Sequence, residues 1–273
     1  MHRAEKLYAF FLPKIQHEEK ERMRKETDLE EVKEIATLLL WLPPQATKFS
    51  PMIVKHPFTD CGMVVLRNSQ QEPKPVNILE SESAFSCWRE EIGKRIKQAK
   101  SVQEIYPLVT KSYTFAFLKH TADYLSQKDL SEILSMAWVN TECPNLDQNL
   151  SQRQKLALFQ AADPIYLMDA SEREKLERLE DEVTVYRGVT SCTAKNIRAL
   201  SWTLDYETAD WFAHRFGETG KVYEARINKE HIYVLFNSRG EWEVIVDPKY
   251  LTELREAPKQ EAVSYTHLTL PTK

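Results

Sequence analysis

Val183-Thr184-Val185-Tyr186-Arg187-Gly188 is the stretch on which the fold turns. Its β-branched, alternating residues read as a strand that Gly188 ends. The chain ahead of it has a different rhythm. From Ser83 to about Glu182, Ala84, Trp88, Ile92 and Ile96 recur at four-residue intervals, one face of a helix. Tyr113, Ala116, Phe117 and Tyr124 form a second apolar stripe. Leu130, Ile133, Leu134, Ala137 and Trp138 form a third, and Leu156, Leu158, Phe159 and Ala162 a fourth. All read as core. Ser131 and Ser151 are candidate caps for the third and fourth helices, Pro144 with Asn145 and Asn149 marks the loop between them, and Ser171 opens a charged helix through Glu180.

After Gly188 a short strand is expected at Ala199–Trp202. Asp205 is then a candidate N-cap for a helix whose apolar residues Ala209, Phe212, Ala213 and Phe216 fall at i, i+3, i+4 and i+7, with Gly217 as its stop. Lys221–Ile227, His231–Phe236 and Trp242–Val246 read as three more strands. The fold class expected is α+β, a helical lobe over 83–181 followed by a small β-rich core over 182–261. Residues 1–82 form a separate segment of open role. Within it, 14–37 is dense in both signs of charge and reads as a solvated helix stopping near Pro43-Pro44. Residues 43–80 carry six prolines and only one expected strand, Met63–Leu66, followed by a loop at 68–73; His56 reads as a structural or surface histidine. Residues 262–273 fit neither pattern. They resemble a translated adapter tail from a bacterial assembly, so they are left out of the fold and a bacterial source is expected.

Composition removes several function classes. The chain has 273 residues, 42% hydrophobic and 29% charged, enough to bury a core. A net charge of -4 gives no support to nucleic-acid binding, and 182–261 holds 13 Asp and Glu against 11 Lys and Arg. The six glycines, at 62, 93, 188, 217, 220 and 240, form neither a dinucleotide fingerprint nor a phosphate loop. Cysteines at 61, 87, 143 and 192 show no metal-ligand spacing, so reduced thiols in a cytoplasmic protein and no metal are expected, with secretion as an effector left open. The longest apolar run, Leu38–Leu42, is far short of the ~20 residues that span a bilayer, and no membrane association is expected.

Three polar features fall in the β core. Arg187 ends the first strand, where its guanidinium could hold a diphosphate and Gly188 could admit a ligand to the backbone; a surface or ion-paired arginine is the other reading. Ser201-Trp202-Thr203 precedes the Asp205 helix, as a source of positioned hydroxyls or as a simple strand-to-helix turn. Glu241 and Glu243 flank Trp242. In a strand they share one face, while Trp242, Val244 and Val246 seat on the core. Like charges at that spacing repel, so stability alone gives no reason to pair them.

In that order, these elements resemble the R-S-E mono-ADP-ribosyltransferases, the arginine-specific, toxin-type group. Tyr186-Arg187-Gly188 is similar to the family's first element, Ser201-Trp202-Thr203 with Ala209, Phe212 and Ala213 to its S-T-S strand and helix, and Glu241-Trp242-Glu243 to its E-x-E. The likeness covers roughly 100–260, and the whole also resembles uncharacterised proteins of bacterial prophages and mobile elements. The chain departs from the family at Trp202 and Thr203. Its core is short as well, with 14 residues from Arg187 to Ser201 and 42 from Ser201 to Glu243.

The resemblance implies a small β-sandwich core that takes NAD as substrate without a Rossmann fold. It implies Glu243 at the ribose, Glu241 orienting and helping to deprotonate an acceptor arginine on another protein, and Arg187 on the phosphates. Ser201 would fix the carboxylate and the ribose. Gly188, Thr203 and Trp202 or Tyr206 complete the expected NAD site, Trp202 or Tyr206 as the group stacking on nicotinamide; core packing is the other reading of Trp202. The alternatives are an NAD glycohydrolase with the same site and a catalytically inactive, phage-derived interaction protein that kept the fold. The residues do not indicate the target or the oligomeric state.

Overall fold

The structure, a computed structural model, describes residues 25–50, 52–66, 74–191 and 193–258. The beginning of the charged segment 14–37, the loop 68–73 and the tail 262–273 lie outside the described residues. The chain forms two compact units, one made of Met1–Val109 and His120–Leu130, the other of Thr110–Lys119 and Ser131–Lys273. This division cuts across the helical lobe expected over 83–181. Periodicity shows that a helix has an apolar face but not which core that face joins.

The first unit opens with α1 (Leu29–Leu40). Asp28 caps it by accepting the Glu31 amide, and Val32, Ile35, Ala36 and Leu40 are buried on one face. The helix ends short of Pro43-Pro44, which cannot donate to the preceding turn. Helix α2 (Glu82–Gln98), capped by Ser81, buries Ala84, Trp88 and Ile96, and α3 (Val102–Ile105) follows. Between α1 and α2 the proline-rich stretch holds five short strands where one was expected: β1 (Gln45–Ala46), β2 (Ile53–His56), β3 (Thr59–Cys61), β4 (Met63–Leu66) and β5 (Lys74–Asn77). Pro75 sits opposite Val65 in a two-stranded ladder, where its missing donor can face outward. His56 is structural. Its Nδ1 accepts the Phe58 amide at 3.1 Å, its Nε2 lies 3.0 Å from the Leu42 carbonyl oxygen, and it packs edge-on to Trp88. Burial holds its pKa down at about 4, against the opposing pull of the backbone carbonyls of Leu42 and Leu40.

Helices α4 (Thr114–Thr121) and α5 (Gln127–Asn140) each have part of their length in the second unit. In α5, Leu130, Ile133, Leu134, Ala137 and Trp138 are all buried, as the stripe predicts. Ser131 is not the cap of this helix. It lies within it and its hydroxyl accepts the Asp163 amide, while Ser126 accepts the Asp129 amide at the helix start. Helix α6 (Gln152–Ala161) has the expected Ser151 cap, completed as a capping box by Gln154. Helices α7 (Pro164–Leu167) and α8 (Ala170–Glu177) complete the series; α8 is capped by Asp169 rather than opened by Ser171.

The strands expected after residue 182 are present as β6 (Glu182–Val189), β7 (Ser201–Thr203), β8 (Lys221–Asn228), β9 (Ile232–Phe236) and β10 (Glu243–Val246), with β11 (Thr252–Glu256) added. They form one antiparallel sheet in the order β11-β8-β6-β7-β10-β9, so the unit is α+β. In this unit the described strands are linked as one six-stranded sheet rather than as two separate ones. That sheet is nearly severed. β6 and β8 pair along their whole length, from Glu182 opposite Asn228 to Val189 opposite Lys221. β6 and β7 pair only at Tyr186 and Thr203. Two three-stranded halves thus meet at one residue pair and diverge beyond it.

Helix α9 (Tyr206–His214) covers β6, with Asp205 accepting the Thr208 amide as its cap. The helix backbone lies almost on the sheet. A Cβ on Gly188 would stand 2.2 Å from the Ala209 carbonyl oxygen and 2.6 Å from the Ala213 amide nitrogen, and one on Gly220 would stand 2.2 Å from the Ala213 carbonyl oxygen. Gly188 is therefore a packing glycine, required by the helix above it, and it also borders the cleft described below. Gly188→Ala is expected to push α9 off β6 and lower unfolding free energy by about 1–3 kcal/mol, read from urea melts.

Candidate active site

The divergence of β6 from β7 opens a cleft of about 410 Å³, a size suited to a small-molecule ligand. Arg187, Ser201, Thr203, Arg239, Glu241 and Glu243 line it, with the loop Glu142–Leu146 on one side and Phe212, Arg215 and Phe216 on another.

Glu243 is the first residue of β10, opposite Thr203 on β7 and Phe236 on β9. A carboxylate placed between two paired strands is short of water, and its side chain is only 10% exposed. Oε1 accepts the indole N–H of Trp138 at 3.0 Å and the hydroxyl of Ser201 at 2.5 Å. Oε2 lies 3.9 Å from Nη2 of Arg239. Burial pushes the Glu243 pKa up. The bonds from Ser201 and Trp138 and the charge of Arg239 work against that shift, and the neighbouring charge of Glu241 adds to it.

Ser201 is held at both ends. Its hydroxyl donates to Glu243, and its carbonyl oxygen accepts Nη1 of Arg187 at 2.5 Å. The Arg187 Nε is buried without a hydrogen-bond partner. Burial lowers the Arg187 pKa to about 10, although the charge of Glu243 and the Cys143 thiol oppose the shift. The guanidinium is still protonated at neutral pH, and Arg187 lines the cleft, where its charge would favour an anion. Thr203 does structural work at the rim: its hydroxyl donates to the Glu241 carbonyl oxygen at 2.6 Å and accepts the Asp205 amide at 3.1 Å.

Glu241 reaches the cleft by a different route from the expected one. The strand begins only at Glu243, and Trp242 has a left-handed backbone with φ of 45°. Trp242 does not seat on the core beside Val244. It is half-buried, its amide donates to the Asn237 side-chain oxygen at 3.2 Å, and Lys175 lies 5.3 Å over its ring. Positive φ is uncommon for a bulky residue, and the turn that imposes it still brings both carboxylates to one cleft. Between them lies Arg239, bonded to Glu241 Oε2 at 2.7 Å.

The two residues expected to stack on nicotinamide differ: Trp202 is among the residues that border the cleft, with its ring in the core, and Tyr206 is not. Trp202 is a core residue, 2% exposed, with its indole N–H given to the Ala199 carbonyl oxygen. It points away from Ser201 and Thr203, as alternation along a strand requires. Tyr206 packs edge-on against Tyr186 over the Ala209 and Ala213 cluster and does not line the cleft.

Three residues absent from the sequence-based site matter to it. Trp138 sits in an apolar stripe that reads only as core. Arg239 stands two positions before Glu241, a spacing visible in the sequence. Lys155, fully buried, donates to the carbonyl oxygens of Pro144 and Asp147 at 2.6 and 2.8 Å, and so fixes the loop on one side of the cleft. Burial lowers the Lys155 pKa, opposed by Asp147. Asn145 in the same loop accepts the Leu200 amide next to β7.

Among the described residues no group of three or more His, Cys, Asp or Glu side chains could hold a metal ion, and no helix is long and apolar enough to cross a membrane. Comparison of the chain with family models, curated proteins and solved structures finds no match.

The raised Glu243 pKa has a consequence for stability. The folded protein holds this proton more tightly than the unfolded chain, so stability falls as pH rises from the ordinary carboxylate value through the folded one. Glu243→Gln keeps the shape and cannot ionise. It is expected to be more stable than the native protein at neutral pH, with the difference vanishing below the ordinary carboxylate range, as read from urea midpoints across pH.

Proposed function

We propose that this protein is an NAD-dependent mono-ADP-ribosyltransferase acting on the guanidinium of a protein arginine. One observation carries the reading. Arg187, Ser201 and Glu243, separated by 14 and 42 residues, join in one hydrogen-bonded chain at the cleft where the sheet opens. The order of the elements is that of the R-S-E transferases, and the absence of a glycine-rich phosphate loop agrees with NAD held outside a Rossmann fold.

The donor set fits such a substrate. A cleft of about 410 Å³ places the guanidinium of Arg187 and the carboxylate of Glu243 on its lining, which suits a molecule with a diphosphate and a ribose that becomes cationic. NAD supplies a nicotinamide–ribose bond whose breaking places positive charge on the ribose. Every other contribution comes from the chain. Arg187 binds phosphate oxygens. Trp138 and Ser201 hold Oε1 of Glu243, which leaves Oε2 toward the cleft to stabilise the developing charge more than the ground state. Glu241 orients the acceptor guanidinium and takes its proton as the new carbon–nitrogen bond forms and nicotinamide leaves.

The test is incubation with labelled NAD and a bacterial lysate. Glu243→Gln should lower nicotinamide release by roughly 10²–10³-fold, while Glu241→Gln should abolish protein labelling and keep release. Release without label in the native protein would make the activity glycohydrolysis. A folded protein with no release would leave an interaction role for the fold.

A further inference from the structure

Arg239 is the one cation that touches the Glu241 carboxylate, among the described side chains, and it does so inside the cleft. Its Nη2 is 2.7 Å from Glu241 Oε2 and 3.9 Å from Glu243 Oε2, while Nη1 donates to the Val139 carbonyl oxygen at 3.0 Å. The side chain is 38% exposed, so it is reachable from solvent. The turn that carries it is held firmly. The Gly240 amide donates to the Asn237 carbonyl oxygen, and Gly240 has φ of 74°. The Asn237 side-chain oxygen accepts the Trp242 amide, and the Asn237 amide donates to the buried Glu172 at 2.6 Å. The guanidinium is thus presented to Glu241 by a rigid turn.

We infer that Arg239 is a built-in occupant of the acceptor position, a tethered guanidinium that an incoming arginine must displace to reach Glu241. The inference rests on the transferase reading and adds to it what sets the acceptor's affinity. Glu241 forms one short charged contact with a guanidinium, and an acceptor arginine would need that same carboxylate oxygen. An acceptor that brings further contacts from its own surface can displace Arg239, whereas a free alkylguanidine has only its head group with which to compete. Arg239 therefore selects folded protein acceptors over small ones. The opposite role, in which Arg239 orients Glu241 for catalysis, predicts the opposite sign on removal.

The probe is agmatine, a small alkylguanidine, with labelled NAD. Nicotinamide release and labelled agmatine are followed separately at about pH 8, well above ordinary carboxylate values, because loss of the Arg239 charge would raise the Glu243 pKa further. Arg239→Gln is expected to lower the agmatine KM roughly fivefold without lowering kcat, the scale of one partly exposed ion pair. Arg239→Lys keeps a cation without the planar fork and is expected to fall between the two; it also serves if the Gln variant melts early. An unchanged or higher agmatine KM, with both products still formed, overturns the inference and leaves the transferase reading standing. Nicotinamide release with no labelled agmatine in any variant overturns the inference and leaves NAD cleavage alone. No release from the native protein removes the transferase reading, and the inference with it.

Discussion

The bond from the Trp138 indole to the Glu243 carboxylate, joined by that from Ser201, is the constraint around which the second unit is organised. An ionised carboxylate at the start of a strand paired on both sides loses most of its water, a cost that neither strand pairing nor packing returns. Both donors are themselves fixed. Trp138 is fully buried in α5, edge-on to Phe115 and Phe159, so its N–H has no freedom to turn away. Ser201 is fixed by strand pairing with Ile245 and by Arg187 on its carbonyl oxygen. Removing either would leave a buried acceptor partly unsatisfied, the situation in which hydrogen bonds matter most.

The near-break of the sheet makes the remaining geometry possible. Full pairing of β6 with β7 would bury Arg187 and Ser201 within a ladder and leave no cleft. With Tyr186 and Thr203 as the single junction, the strands separate just where the polar side chains lie. Helix α9 then braces the β6 half. It can lie so close only because Gly188 and Gly220 have no side chains, and its buried face is small, Ala209 and Ala213. Lys155 performs a similar task on the other side by giving its charge to two loop carbonyls. It is a costly buried ammonium whose burial fixes one border of the cleft.

The legible part of the structure is the part written in local pattern. The change from helical to alternating rhythm at Val183, the Asp205 and Ser151 caps and the stripe from Leu130 to Trp138 are all set by neighbours a few residues away. Arg187, Ser201, Glu241 and Glu243 were legible as side-chain types in order, and they do line one cleft. What was not legible depends on long-range geometry. Trp138 sits in an apolar stripe, and nothing in its neighbours shows that one N–H points at a carboxylate 105 positions away. Alternation placed Trp242 inward with Val244, but a left-handed residue at the turn breaks the period. Trp202 shows the reverse: strict alternation in β7, with Ser201 and Thr203 pointing one way, sends the tryptophan into the core. The short strands of the first unit, two to four residues long and interrupted by prolines, carry too few positions for a period to register.

Places where local rules fail deserve a functional reading because folding gives no reason for them. Four such failures lie in or next to this one cleft: a desolvated Glu243, an Arg187 with a buried unpartnered N–H, a bulky residue at positive φ in Trp242, and two carboxylates two positions apart. Arg239 relieves the last and partly offsets the first, by standing against Glu241 and near Glu243. A chain under selection for stability alone would remove the repulsion by changing one glutamate. Retaining both and adding a neutralising arginine costs a strained turn and leaves Glu243 desolvated, an arrangement that stability alone does not account for. The surroundings of the two carboxylates differ. Glu243, buried and fixed through Oε1, is a charge held still. Glu241, more exposed and paired with a displaceable cation, is the one able to exchange partners.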